Sequence, residues 1–156
     1  MRIKFTRQFD QMDCGPACVR MIASAYGKVY PLAYLRSLSC LTREGVSVAG
    51  IRKALSAIGL NSASFELTVD QLRKMCPLPA ILHWEQNHFV VVTRIRRGRW
   101  DKKWHYAVAN PAFGQQVLSE EDFCRCWLNG TKGIAIAVEP TEAFFEKEVA
   151  HASNSL

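Results

Sequence analysis

Between Met75 and Ala80 the chain changes its period, and that change constrains the fold more than any other feature. Upstream, apolar residues recur at helical spacing. The run Cys18 to Tyr26 stops at Gly27, Pro31 opens a short helix through Leu38, and Val48, Ile51, Leu55 and Ile58 form a stripe that Ser47 can cap and Gly59 can end. Leu41 to Val46 reads as a loop. Ala63, Phe65 and Leu67 alternate with polar residues as a strand does, and Asp70 to Met75 fits a short helix halted before Pro77. Downstream, strand formers dominate in Ala80–Trp84, His88–Thr93 and Trp104–Ala109, then in Gln115–Leu118 and Gly133–Val138. One further helix interrupts them, opened by Ser119 with Glu120, Glu121 and Asp122 in its first turn and ending near Asn129-Gly130. Helices first and antiparallel strands after predict an α+β fold, with the helices packed on one side of a twisted antiparallel sheet. At 156 residues the chain is long enough for one domain with a real core. Residues 1–139 are expected to form it, with 140–156 a linker or tail.

The composition, 49% hydrophobic and 22% charged, is that of a soluble globular protein. The net charge is +6, and Arg94, Arg96, Arg97, Arg99, Lys102 and Lys103 crowd one short segment. That segment reads as a solvated hairpin tip. Nucleic-acid binding would spread such charge over a face or interleave it with stacking aromatics, so no nucleic-acid partner is expected. Trp100 and Trp104 stand nearby, and only a salt-dependent interaction with DNA or RNA would keep that alternative alive. Six cysteines, no secretory signal after Arg2 and Lys4, and no bilayer-length apolar run favour free thiols in a reducing compartment. The Cys14/Cys18 and Cys124/Cys126 spacings are not those of zinc knuckles, and no His pair follows at ligand spacing, so no metal site is expected.

The run Gln8-Phe9-Asp10-Gln11-Met12-Asp13-Cys14-Gly15-Pro16-Ala17-Cys18 carries the chemistry. It puts a cysteine where the first helix begins, over about Gly15 to Tyr26, with Asp13 at the N-cap and Pro16 in the first turn. Cys14 is expected at the positive end of a helix dipole, beside free backbone N–H groups, where a thiol pKa falls and an oxyanion can be held. The alternative is a buried apolar filler.

A thiolate nucleophile needs a base, and the base needs an orienting partner. His151 lies in the tail. His83, His88 and His105 fall in or beside strands, and His88 opens the most apolar of them. Antiparallel pairing of residues 88–95 with 104–110 would carry His88 toward Asn110. Cys14, His88 and Asn110 then form a Cys–His–Asn set, a workable arrangement for acyl transfer.

These residues resemble the double-glycine leader peptidase domain, a papain-like cysteine peptidase found at the N-terminus of bacteriocin- and peptide-exporting ABC transporters. The resemblance covers about residues 5 to 140. It rests on Gln8 placed before Asp13-Cys14-Gly15-Pro16-Ala17-Cys18, on Ala80–Trp84 leading to Asn87-His88-Phe89-Val90-Val91, on Ala109–Gly114, and on the helix around Phe123 and Trp127. It implies a papain-like fold, Cys14 as nucleophile, His88 as general base, and Gln8 as a side-chain donor to the oxyanion beside the Cys14 N–H. Gln11 does not match the spacing and is a bystander. The family usually has Asp where this chain has Asn110.

The resemblance further implies a thiol protease that cuts a secreted precursor peptide after a Gly-Gly-type site, in a channel too narrow for side chains, with the leader docked as an amphipathic helix. It implies no cofactor for the peptidase, and ATP only for an attached transporter ATPase domain. The implied partners are the leader-containing precursor and the transmembrane and ATPase domains of the same transporter. The implied location is the cytoplasmic side of the bacterial inner membrane, with the tail leading toward transmembrane helices. The alternative is a non-catalytic leader-binding module.

Overall fold

The structure, a computed structural model, describes residues 2–39, 47–85 and 87–149. The expected loop at 41–46 lies outside them, as do Cys40 and His151. Six strands, β1 (Leu60–Leu67), β2 (Ala80–Trp84), β3 (His88–Arg97), β4 (Trp104–Asn110), β5 (Gly114–Ser119) and β6 (Gly133–Pro140), pair in the order β1-β6-β2-β3-β4-β5. Every neighbouring pair is antiparallel.

Helices α1 (Cys14–Ala25), α2 (Leu32–Leu38), α3 (Val48–Ala57), α4 (Val69–Met75), α5 (Glu120–Trp127) and α6 (Glu142–Glu146) accompany the sheet, and a 3-10 turn over Gln11–Asp13 leads into α1. Ser47 caps α3 through Gly50, Thr68 and Gln71 form a capping box on α4, and Ser119 caps α5 through Asp122. Helix α5 closes at Trp127, before the expected Asn129-Gly130.

The expectation of helices on one side only is corrected. One face of the sheet meets α1, α2 and α3 through Ile81, Phe89, Val91, Ala109, Ile136 and Val138. The other face meets α4 and α5 through Leu82, Val90, Val92, Val108 and Ala135, packed with Leu72, Phe123 and Trp127. The physical reason stands in the sequence: Phe89-Val90-Val91-Val92 does not alternate with polar residues, and such a run is buried on both faces.

The linker expected from Pro140 also needs correcting. Thr141 caps α6, and α6 seats Phe144, fully buried, in the core beneath α1 and α3. Gly59, at φ +92°, permits this contact. A Cβ there would stand 2.5 Å from the Phe144 backbone nitrogen.

Candidate active site

Cys14 is the first residue of α1, 2% exposed, in the core face that also holds Phe89 of β3. Three backbone N–H groups bear on its sulfur: those of Phe89, Gly15 and Cys14 itself. They favour the thiolate, as the helix start predicts. Burial outweighs them and pushes the Cys14 thiol above its ordinary value, and the neighbouring Asp13 carboxylate acts in the same direction. The sequence expectation of a lowered thiol is therefore reversed in the resting protein. The N–H groups are in place, but burial is the larger effect on the thiol.

Asp13 occupies the N-cap position without using its side chain as a cap. Its carboxylate pairs with the Arg36 guanidinium of α2, at 2.8 and 3.0 Å, and accepts the Phe9 N–H at 3.2 Å. A forked charge-assisted pair is stronger than one cap bond, so the side chain follows Arg36. That pair holds the Asp13 carboxyl below its ordinary value. It also ties α2 to the segment carrying Gln8. Nothing in the sequence marks Arg36 for this role, because the two residues are 23 positions apart.

His88 and Asn110 are brought together. The β3–β4 register opposes Val91 to Ala109, which sets His88 diagonally across from Asn110. His88 Nε2 lies 2.7 Å from Asn110 Oδ1. The orientation of the Asn110 amide is fixed independently, since Oδ1 also accepts the Ala112 N–H at 2.9 Å. Only an oxygen can accept from a backbone N–H, so His88 must donate from Nε2. The neutral ring then carries its lone pair on Nδ1, and His88 is followed directly by Phe89, whose N–H favours the Cys14 thiolate. The side-chain acceptor thus sits in a turn of its own making, an Asx turn at the end of β4.

Gln8 joins the same place by its backbone. Its N–H donates to Pro111 O at 3.0 Å, and Arg7 donates to Ala112 O at 3.2 Å, so the Gln8 segment is stitched to the turn that holds Asn110. The Gln8 amide nitrogen donates to Asp10 O at 3.0 Å, while its oxygen is buried with no partner. A buried acceptor left unmade is an unfavourable resting state, and it lowers the cost of turning the amide toward another group. A cavity of about 550 Å³ opens in front, lined by Gln8, Gln11, Glu85, His88, Ala112 and Phe113. Gln11 is exposed at this rim.

The other histidines are placed elsewhere. His83 packs edge-on against Phe89 at 5.2 Å and lines a separate cavity with Glu66, Arg125 and Asn129. His105 pairs with Asp101 at 2.8 Å on the β3–β4 hairpin. Among the described residues no group of three or more His, Cys, Asp or Glu is arranged to hold a metal ion.

The model of the Peptidase C39 family matches residues 2–143. The colicin V secretion/processing ATP-binding protein CvaB of Escherichia coli is 33% identical over 143 residues, covering 92% of this chain and 19% of that protein. The pediocin PA-1 transport/processing ATP-binding protein PedD of Pediococcus acidilactici is 32% identical over 142 residues, covering 88% and 18%. The chain therefore spans about a fifth of the length of these relatives. Among solved structures, a double glycine motif protease from an AMS/PCAT transporter, in complex with its leader peptide, superposes with a TM-score of 0.79 at 27% identity, covering 90% of this chain and 93% of that one. The peptidase domain of Streptococcus ComA, a bifunctional ABC transporter, gives 0.76 at 26% identity, covering 90% and 100%.

Proposed function

Because this chain belongs to the Peptidase C39 family, a family of cysteine peptidases, we propose that it removes the leader from a secreted precursor peptide, cutting after a Gly-Gly-type site, as the peptidase part of a peptide-exporting ABC transporter. The observation that carries this reading is the bond of His88 Nε2 to Asn110 Oδ1 at 2.7 Å, one residue before Phe89, whose backbone N–H favours the Cys14 thiolate.

In this reading Cys14 Sγ attacks the scissile carbonyl carbon and its proton passes to His88 Nδ1. The resulting imidazolium stays oriented by Asn110. The carbonyl oxygen becomes an oxyanion and takes hydrogen bonds from the Cys14 backbone N–H and from Gln8, whose amide swings from its half-satisfied resting position. Collapse breaks the C–N bond, and His88 returns the proton to the leaving amine. Water, deprotonated by His88, then hydrolyses the thioester and frees the leader. Burial favours the neutral thiol, while the Phe89, Gly15 and Cys14 N–H groups favour the thiolate that forms as the carbonyl is attacked.

The remaining partners follow the relatives, whose names describe transport and processing with ATP binding. We take the transmembrane and ATPase domains of one transporter as this domain's partners, with ATP bound there and no cofactor in the peptidase, and its place as the cytoplasmic side of the membrane. Among the described residues no helix is long and apolar enough to cross a bilayer.

The test uses the purified chain and a synthetic leader peptide ending in Gly-Gly. Cleavage after the second Gly is expected, none with Leu-Leu in its place, and none by Cys14→Ala, which should still bind the leader. Cleavage by Cys14→Ala, or equal turnover of the Leu-Leu peptide, would overturn the reading. A leader bound but uncut by the parent chain would favour the non-catalytic module.

A further inference from the structure

The β3–β4 hairpin is built unlike the rest of the molecule. Up to Val92, β3 is buried on both faces; a bulge at Thr93 then shifts the register, and from Arg94 onward only Ile95 still packs inward. Residues 94–103 hold six basic side chains against one acid, Asp101, in a chain whose net charge is +6. Almost the whole excess charge of the protein is therefore on this projection.

Those six cations are exposed, and none of them makes an ion pair among the described residues. Elsewhere Arg36, Arg73, Lys74 and Arg125 are paired, and Arg7, Arg20 and Arg52, without an ion pair, are held by neutral oxygens. The lone acid of the hairpin is occupied by His105 and by the Lys103 N–H. At the tip, between Arg99 and Asp101, Trp100 is 90% exposed, while Trp84 and Trp127 are each 3% exposed.

We propose that this hairpin docks on an anionic phospholipid surface, its cations facing lipid phosphates and Trp100 seated among the headgroups. An indole with an apolar body and a polar N–H, ringed by unpaired cations, suits the membrane–water boundary. Nucleic acid fits less well, since a single exposed ring offers no row on which bases could stack. The placement also suits a working enzyme. β3 begins at His88 and ends at Arg97, about 30 Å away at the rise of an extended strand, so a surface bound at the tip leaves the candidate active site open. The inference stands on charge and exposure and does not depend on the peptidase reading.

The experiment measures co-sedimentation of the purified chain with vesicles of phosphatidylcholine alone and with phosphatidylglycerol added, over a series of salt concentrations. Binding is expected only with phosphatidylglycerol, falling as salt rises. Each basic residue at an anionic surface strengthens binding by about fivefold. The combined variant Arg94→Gln, Arg96→Gln, Arg99→Gln, Lys103→Gln should therefore bind about six-hundredfold more weakly, with an unchanged circular dichroism spectrum. Trp100→Ala should lose several-fold and should abolish quenching of tryptophan emission by brominated lipid. Absence of binding to the anionic vesicles, equal binding to phosphatidylcholine alone, an unaffected fourfold variant, or tighter binding to a single-stranded oligonucleotide would each overturn the proposal. Leader cleavage in vesicle-free solution is read separately, so failure here and failure of the peptidase reading are distinguishable.

Discussion

Two histidines in this molecule make nearly the same bond. His88 reaches the amide oxygen of Asn110 at 2.7 Å, and His105 reaches the carboxylate of Asp101 at 2.8 Å. As isolated pairs they are close to equivalent, and the carboxylate would make His105 the better candidate base. The difference is what surrounds them. The His105 pair stands on an exposed hairpin, with 37% and 44% of its two side chains accessible, and no thiol is among its partners. The His88 pair is part-buried and precedes Phe89, whose N–H bears on a dry sulfur at a helix start. An imidazole with an acceptor is thus not by itself a site. Chemistry requires that a nucleophile be packed against it.

That comparison can be broken most completely at Cys14. Cys14→Ala should abolish leader cleavage, while Cys18→Ala, one turn along α1, should keep it at a packing cost of about 1 kcal/mol, read by thermal denaturation. Next comes the base. His88→Ala should lower kcat/KM on the order of a thousandfold, whereas His105→Ala should leave it within error. A fall of equal size in both variants would show that the two pairs are not functionally distinct.

Gln8→Ala should lower kcat about a hundredfold with little change in KM, the loss expected for one oxyanion donor. Gln11→Ala, at the rim of the same cavity, should change little, and the reverse ranking would reassign the donor. Asn110 then sharpens the contrast with Asp101. Asn110→Ala should lose most of the activity. Asn110→Asp should retain it and extend it to higher pH, because a carboxylate beside His88 stabilises the imidazolium. The measurement is kcat/KM against pH for the three proteins, and an Asn110→Ala profile equal to the parent's would remove Asn110 from its role.

The smallest effect concerns pH and stability. Burial holds the Cys14 and Cys18 thiols above their ordinary values. A group whose folded pKa is raised contributes stability that is complete below the unfolded pKa and lost as pH rises toward the folded one. The melting temperature should therefore decline above about pH 9, the usual thiol range, and Cys18→Ala should flatten that decline. A parent curve as flat as the variant's would show that ionisation of Cys18 does not limit the fold.

Much of this was legible because local chemistry agrees with tertiary structure. Ser47, Thr68 and Ser119 open helices in the structure, Gly27 and Gly59 end them with positive φ, and the pairing that joins His88 to Asn110 follows from two adjacent strands. What could not be read depends on residues far apart in the chain. Asp13 looks like a cap until Arg36 arrives from α2. The Cys14 thiol looks depressed until the sheet buries it. Phe144 sits in a stretch that reads as a tail because its partner surface, Gly59 and the end of α3, lies more than eighty residues earlier. The two-sided core was written in Phe89 to Val92, and reading it required giving that unbroken apolar run more weight than the order of helices and strands.

The strand order has a further consequence, for how the chain assembles. β2 through β5 lie side by side in the order in which they are made, joined by short connections, and can zip up as they appear. β1 cannot join them, because among the described residues its only sheet partner is β6. The last strand enters the middle of the sheet, between β1 and β2. Until it arrives, β1 with α3 and the meander β2 to β5, on which α1 packs through Phe89 and Val91, have a vacant strand slot between them. Loop closure over some seventy residues must come before the slot is filled, which places this domain among the slower folders and leaves its sheet edges open until synthesis has passed Pro140. Cys14 of α1 and His88 of β3 lie on the same side of that slot, so the last strand to arrive closes the sheet without entering the candidate site.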